Sequence, residues 1–256
     1  MGMSVNTNVG AMLALQNLNK SNKMLETTQL HITTGLKVNG PKDDAATYAI
    51  AQRMRGDIAG MGAVKTALSN GEATVTGAIT AGKAVADMLT EMKAKTVQAN
   101  QAGLDTASKD ALQNDFTSLR DQLTTIVQTA EFNGKNLITS AATSLTVLST
   151  VDGSSISVAA QKLDTTTLGI NASNISSGAS AALVAIDAAI NTVTSSLASL
   201  GSSSKRIDVQ AEFTVQLVDI LKEGVGNLVD ADLAEESAAL QSLQIKQQLG
   251  VQALSI

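Results

Sequence analysis

A chain of 256 residues has the length for one or two domains, but aromatics make up only 2% of it, so a wide core built on large rings is excluded. Small and branched aliphatic residues dominate the 44% hydrophobic fraction, and the single proline, Pro41, leaves long helices unbroken. The net charge of −5, with Lys and Arg scattered singly, gives no footprint for nucleic acid, and the absence of cysteine excludes disulfides and thiolate metal sites.

From Asn8 to Ile32 a heptad frame runs through Ala11, Leu15, Leu18, Leu25 and Ile32, with Asn8, Asn22 and Gln29 interrupting it. Such a repeat keeps one narrow apolar stripe turned towards a partner helix, and polar members lower its stability while fixing register. Gly35, Asn39, Gly40 and Pro41 then break the helix. Asp43 and Asp44 are placed to cap the next helix and to complement its dipole.

The second helix is expected from about Ala45 towards Gln101. Its seam reads Ile50, Met54, Met61, Val64, Leu68, Val75, Ala78, Val85, Leu89 and Met92, with Asp57, Gly71 and Gly82 as weak points. Each glycine costs about 1 kcal/mol against alanine in a helix interior, unless close helix approach or a slight bend compensates. Gly103 to Ser108 reads as a turn, with Asp105 or Thr106 as the next cap. The third helix carries Leu112, Phe116, Leu119, Leu123, Ile126 and Ala130 at unbroken four-three spacing.

After Ala130 the chain becomes rich in Ser, Thr, Gly and Asn as far as Gly178. Within that stretch Leu145, Val147 and Val151 alternate with polar residues, Asp152-Gly153 supplies a tight turn, and Ile156 and Val158 resume the alternation, which predicts a β-hairpin. The seam from Ile186 to Leu221 follows, through Ile190, Val193, Leu197, Leu200, Ile207, Ala211 and Val218, with only Ser204 and Thr214 as polar members. A helix of about 36 residues is roughly 54 Å long, and it needs partners from elsewhere in the chain to bury its stripe. Lys222 to Asn227, with Gly224 and Gly226, is expected to interrupt it. A last helix, with Asp230 and Asp232 read as caps, carries Val229, Leu233, Leu240, Leu243, Val251 and Leu254.

Several ordered motifs resemble one family. Asn6-Thr7-Asn8, Thr34-Gly35-Leu36-Lys37-Val38-Asn39, Asp43-Asp44-Ala45-Ala46 and Ile50-Ala51-Gln52-Arg53-Met54 are similar to the amino-terminal signature of bacterial flagellin. Thr129-Ala130-Glu131-Phe132-Asn133-Gly134-Lys135-Asn136-Leu137 resembles the motif that closes the family's amino-terminal helical half. Ala185-Ile186-Asp187-Ala188-Ala189-Ile190, Leu200-Gly201 and Val229-Asp230-Ala231-Asp232 resemble its carboxy-terminal half. The resemblance covers nearly the whole chain outside residues 139–178.

The resemblance implies a mainly α fold, an elongated antiparallel coiled-coil rod of long helices with a small β-hairpin insertion, whose terminal helices pair as an inner coiled coil. Residues 1–44 would form the amino-terminal half of the inner layer, 45–178 the amino-terminal rod with the hairpin, 179–226 the carboxy-terminal rod helix, and 227–256 the other half of the inner layer. Inner-layer assembly would fall to Ala11, Leu15, Leu18, Leu25, Ile32, Leu233, Leu240, Leu243, Val251 and Leu254. Rod packing would fall to Ile50, Met54, Met61, Leu68, Leu89, Leu112, Phe116, Leu119, Leu123, Ile126, Ile186, Ile190, Leu197, Leu200, Ile207, Val218 and Leu221. Polar residues in the terminal seams, Asn22, Gln29, Glu236 and Gln247, suit ordering against neighbouring subunits better than folding as an isolated pair.

Implied with that family are a structural, non-enzymatic role in a hollow filament outside the cell, for swimming, and the other flagellin subunits as homopolymer partners. An export apparatus with a secretion chaperone, and hook-associated and cap proteins, complete the implied set. The family usually continues past the Ile256 position, so the extreme carboxy-terminal end is expected to be missing. Many members carry Gln-Arg-Ile-Arg-Glu-Leu-Ala-Val-Gln, an epitope for an innate immune receptor, where this chain has Thr90-Glu91-Met92-Lys93-Ala94-Lys95-Thr96-Val97-Gln98. Glu91 replaces an Arg and Lys95 a Leu, so receptor recognition is expected to be weak. As plain chemistry, Glu91 and Lys95 read as an i, i+4 surface pair.

Other classes fit less well. His31 is the only histidine, which excludes a HExxH zinc site and argues against a Ser-His-Asp triad; neither cofactor nor metal is expected. A hook-filament junction protein shares such helical ends. A membrane-surface helix would need a basic face with aromatic anchors, which the sequence lacks, and no run of about 18 apolar residues marks a span.

Overall fold

The computed structural model describes residues 8–254, with side chains described as far as residue 252. Asn6 and Thr7 of the signature lie outside the described residues. So does the side chain of Leu254, at the end of the last helix.

Five helices and one hairpin account for the ordered elements of the described residues. Helix α1 (Val9–Thr34) starts under Asn8, whose Oδ1 accepts from Ala11 N–H at 3.1 Å. It stops at Gly35, which takes the left-handed conformation (φ 71°) and donates its N–H to His31 O. Helix α2 (Ala45–Ala99) is capped by Asp44, whose Oδ1 accepts from Ala46 and Thr47 N–H at 3.0 and 3.1 Å. The expectation that Asp43 also caps this helix is corrected. Its Oδ2 accepts from Asn39 and Gly40 N–H, both at 3.0 Å, and so ties off the preceding turn. A cap must directly precede the first helical residue to reach the next free amides, and Asp43 stands one position too early.

Helix α3 (Thr106–Thr129) follows, capped by Asp105 through Ser108 N–H at 3.0 Å. Strands β1 (Leu145–Leu148) and β2 (Ser155–Val158) pair antiparallel, with Leu145 opposite Val158 and Val147 opposite Ile156. Opposed residues share a face, so Val147, Ile156 and Val158 turn inward together and are buried. Val151, placed in the strand alternation by the sequence, belongs to the connecting loop.

Helix α4 (Ile175–Val229) begins with a non-helical Gly178 (φ −140°, ψ 42°) and then runs unbroken through Gly224 and Gly226. The expected interruption at Lys222–Asn227 is therefore absent. Val225 and Val229 on this last stretch are buried with Val38 and Ala51, and that packing overrides the weak helix propensity of the two glycines. Of the described helices, α4 is the one long and apolar enough to cross a membrane by composition. Its apolar stripe is built into the core with α2 and α3. Helix α5 (Leu233–Leu254) is capped by Asp232, which accepts from Ala234 and Glu235 N–H. Asp230 is not a cap and instead forms a bridge with Leu36.

The chain folds as two compact units, Gly60–Gln216 on the one hand and Met1–Ala59 with Leu217–Ile256 on the other. In the first, α2 buries Val64, Leu68, Val75, Ala78, Val85, Leu89 and Met92 along one stripe. Gly71 and Gly82 lie in that stripe as sockets. A Cβ on Gly71 would stand 2.5 Å from Val147 Cγ2, and one on Gly82 would stand 2.9 Å from Leu197 Cδ2. Close approach by the hairpin and by α4 is thus what the two weak points provide.

Helix α3 contributes buried Phe116 and Leu123, with Leu112, Leu119 and Ile126 packed partly against the same core. On α4 every seventh residue from Ile186 through Val193, Leu200, Ile207 and Thr214 is buried, flanked by half-buried Ile190 and Leu197 on one side and buried Ala189 and Ser196 on the other. That stripe is wider than a two-helix seam because α4 meets two helices. It reaches α2 through Leu197 at Gly82, and α3 through Gln113 Oε1, which accepts from Ile175 N–H at 2.6 Å.

The Ser/Thr-rich stretch is also part of this core. Leu137, Ile138, Leu163, Leu168 and Ile170 are buried, and Gln161 and Leu163 donate their N–H groups to Leu137 and Ile138 carbonyls at 2.8 Å. Among the described residues no buried side-chain polar atom lacks a partner.

Candidate functional site

The unit made of the chain's two ends has too little material to cover its own apolar residues. Helices α1 and α5 run antiparallel. His31 Nδ1 meets Glu236 Oε1 at 2.7 Å near one end, Gln247 Nε2 donates to Asn22 Oδ1 at 2.9 Å in the middle, and Gly250 faces Leu18 towards the other end. A Cβ on Gly250 would approach Leu18 Cδ1 to 3.1 Å, so the helices are in close contact there.

The seam between them holds buried Leu243 and half-buried Leu18, Leu25, Ile32 and Leu240. It does not hold Ala11, Leu15, Leu233 or Val251, which are exposed, Leu15 to 51%. Two helices cover only one narrow stripe of each other, so apolar residues off that stripe stay open. The uncovered set extends beyond the sequence expectation to Val9, Met12, Leu13, Met24, Leu30, Ile245 and Leu249, with Val9 74% exposed. The available signal was that α1 carries apolar residues all round its circumference, the mark of a helix buried in something larger.

At the base of the pair, the connections after α1 and before α5 pair with each other. Lys37 and Val38 N–H both donate to Val229 O, and Ala231 N–H donates to Gly35 O at 2.9 Å. Beneath them Val38, Ala51, Val225 and Val229 form a small core, with Leu36, Tyr48, Met54 and Ile58 against it. Ile50, expected in the rod seam, is instead 53% exposed. At the start of α2 it is Ala51 that packs on Val38, Val225 and Val229, and successive residues of a helix point about 100° apart, so Ile50 turns out. Met54 does pack here, its Cε 2.8 Å from where a Cβ on Gly224 would stand, and Val218 and Leu221 are half-buried in the same unit. Half-buried Met61 belongs to the other unit.

The Asp44 carboxyl is held below its ordinary value by the Thr47 hydroxyl, then by the Thr47 amide. In the Gly60–Gln216 unit, Lys95 feels the charge of Glu91, its expected i, i+4 partner, but makes its close ion pair elsewhere. It donates to Asp115 of α3 at 2.7 Å, and that hydrogen bond and charge hold its ammonium above the usual range. An i, i+4 pair on an exposed face is worth little, so a partner on the neighbouring helix wins.

The sequence profile of the bacterial flagellin N-terminal helical region matches residues 5–143, and that of the C-terminal helical region matches residues 183–256. Flagellin FljK of Caulobacter vibrioides is 47% identical over 256 residues, covering 99% of this chain and 94% of that protein. Flagellin C of Rhizobium meliloti is 35% identical, covering 99% of this chain and 95% of its own length. Among solved structures, the crystal structure of Bacillus cereus flagellin superposes with a TM-score of 0.51 at 22% identity, over 57% of this chain and 86% of that one. A putative flagellar hook-associated protein from Vibrio parahaemolyticus gives 0.61 at 14% identity, over 73% of this chain and 100% of that one. At those identities the two structures establish a shared fold.

Proposed function

The chain belongs to the bacterial flagellin family, and on that premise we propose how its surfaces divide the work of building a filament. It is a structural, non-enzymatic subunit of the extracellular flagellar filament and polymerises with other flagellin subunits. In the proposed division, α1 and α5 form the inner layer, with Ala11, Leu15, Leu233 and Val251 meeting neighbouring copies instead of each other. The helices of Gly60–Gln216 form the rod that holds successive subunits in register.

One observation carries this reading: the apolar side chains that α1 and α5 leave open, from Val9, Met12 and Leu13 at one end to Ile245 and Leu249 on the other helix. Burying a leucine-sized side chain contributes roughly 1.5–3 kcal/mol, so a row of them on each subunit supplies a strong drive to order against neighbours. An export apparatus, a secretion chaperone, and hook-associated and cap proteins are the further partners of this proposal, recognising the same helical ends. Neither nucleic acid nor membrane has a place in it. For the innate immune receptor we propose weak recognition, because Glu91 and Lys95 alter the stretch Thr90–Gln98 and Lys95 is engaged by Asp115.

The test is seeded elongation followed by electron microscopy. The chain is expected to extend filament fragments, and Leu15→Asp and Leu249→Asp to stop extension with helical content intact. Extension of both variants at the unmodified rate would remove these faces from assembly. A reporter-cell response as strong as that to a flagellin with the usual epitope would remove the receptor proposal.

A further inference from the structure

The chain contains three Asn-Gly dipeptides, Asn39-Gly40, Asn70-Gly71 and Asn133-Gly134. Their surroundings differ in the respect that decides whether such a pair is chemically stable. An asparagine before glycine can close on itself when the glycine nitrogen reaches the side-chain carbonyl carbon, because glycine has no Cβ to block the approach. The attack needs an N–H that is not already donating and a backbone free to turn.

Two of the three pairs are held. Gly40 N–H donates to Asp43 Oδ2 at 3.0 Å, and Asn39 N–H donates to the same oxygen. Gly71 is a buried interior residue of α2, pinned by its helical position and by the Val147 side chain seated on it. At the third pair neither hold applies. Asn133 and Gly134 are exposed, with φ of 49° and 75°, and form the tip of a turn closed only by Phe132 N–H to Lys135 O and Lys135 N–H to Phe132 O, at 2.9 and 3.0 Å. Among the described residues, no hydrogen bond engages Gly134 N–H or the Asn133 side chain.

We infer that Asn133 is a self-modifying site, which converts to aspartyl and isoaspartyl residues in the folded chain with water as the co-reactant. The Gly134 nitrogen attacks Asn133 Cγ, the new C–N bond forms, and the Cγ–Nδ2 bond breaks. The proton from Gly134 leaves with Nδ2 as ammonia, and a cyclic imide remains. Water then opens the imide. Cleavage at Cγ gives aspartate on the normal backbone, and cleavage at the backbone carbonyl gives isoaspartate, whose chain runs through the former side-chain carbon. Nothing is oxidised or reduced.

The site is placed to have a structural effect. An isoaspartyl residue inserts a methylene into the turn and breaks the register of both closing bonds. Either product adds a negative charge beside Glu131, whose Oε1 is 4.0 Å from the Cβ position of Gly134. Just after the turn, Asn136 Nδ2 donates to Val127 O at 2.8 Å, and its Oδ1 accepts from Ile138 N–H at 2.9 Å. Those bonds tie the end of α3 to buried Leu137 and Ile138, so the modification loosens the core where the helical half ends.

This inference goes beyond the filament reading and stands without it. The test ages the purified full chain in mildly alkaline buffer, with peptide mapping by tandem mass spectrometry and isoaspartyl methyltransferase labelling over time. Conversion at Asn133 is expected to outrun Asn39 and Asn70 by roughly tenfold or more, because the latter two must first open locally. In denaturant the three sites should converge on one rate. Asp43→Ala, which frees Gly40 N–H, should raise the Asn39 rate towards that of Asn133. Equal rates at the three sites in the native chain, or an intact Asn133 while Asn39 converts, would overturn it.

Discussion

The Gly60–Gln216 unit and the paired chain ends carry the same four-three apolar frame and use it differently. In the first, Leu68, Leu89, Phe116, Leu123, Ile186 and Leu200 are fully buried, because three helices, a hairpin and the Leu137–Ile170 stretch close around them. In the second, two helices meet, and Leu18, Leu25, Ile32 and Leu240 are only half covered. A heptad frame states that a stripe needs a partner; it does not state how many partners there are or which chain supplies them. Where one chain supplies several layers, the frame becomes a core. Where it supplies two helices, part of each apolar surface stays open, and in the proposed division that remainder is what other copies cover.

The largest effect that separates the regions is cavity formation. Leu89→Ala removes a fully buried side chain and is expected to lower the unfolding free energy by about 2–5 kcal/mol in urea titration. Leu15→Ala, on a residue 51% exposed, is expected to change it by less than about 0.5 kcal/mol and yet to slow seeded elongation. Comparable losses of stability from the two would mean that the ends are as self-sufficient as the other unit.

Glycines sharpen the contrast within α2. Gly71→Ala forces a Cβ to 2.5 Å from Val147 and is expected to cost about 1–3 kcal/mol through overpacking. Gly77 has nothing within 4 Å of that position, and Gly77→Ala is expected to stabilise by about 1 kcal/mol through helix propensity. Thermal melts of the two variants should move in opposite directions. Stabilisation by Gly71→Ala would show that the hairpin does not sit in that socket.

How much of this was legible follows from period and spacing. Leu68, Leu89 and Leu123 announced themselves as core by their four-three spacing, and Val147 and Ile156 by alternation around Asp152-Gly153. Asp43 and Asp44 could not be told apart, since both are good caps and only the first helical residue decides between them. Leu163, Leu168 and Ile170 are core residues without period, held by loop geometry that composition does not encode. Val225 and Val229 carried α4 through two glycines because Val38 and Ala51, far away in sequence, were there to bury them. In the candidate site, the polar-flecked frame showed where α1 and α5 touch each other. The faces they leave open take in frame members, Ala11, Leu15, Leu233 and Val251, as well as residues off the frame such as Leu13 and Leu30, and only the all-round apolar character of α1 pointed to that second group on its surface.

A smaller effect depends on pH. Burial, and then the neighbouring Asp208 carboxylate, hold the Glu72 carboxyl above its ordinary value of 4.5. Folding therefore favours the protonated form. The stabilising contribution is fully present below 4.5 and is lost as pH rises through the folded value. Glu72→Gln keeps a neutral group there, so the chain should lose stability relative to this variant as pH climbs from about 4.5 towards neutrality. The difference between the two melting curves isolates Glu72 from Asp105 and Asp164, whose carboxyls hydrogen bonds hold low in both proteins. A pH-independent difference would mean that neither burial nor Asp208 acts on Glu72 in solution.

The smallest effect belongs to surface ion pairs. Lys93 and Asp187 meet at 2.7 Å between α2 and α4, with side chains 43% and 47% exposed. Water screens such a pair and ordering two flexible side chains opposes it, so a double-mutant cycle with Lys93→Met and Asp187→Asn should give a coupling within about 1 kcal/mol. His31 and Glu236 meet at the same 2.7 Å but are 13% and 19% exposed, with little water to compete for the carboxylate. The cycle with His31→Ala and Glu236→Gln should therefore couple more strongly. The two units would then differ in what fixes them: apolar packing dominates between Gly60 and Gln216, while in the terminal pair one shielded polar bond carries a larger share. A coupling at His31–Glu236 no greater than that at Lys93–Asp187 would leave apolar contact, thin as it is, to set the register of α1 against α5.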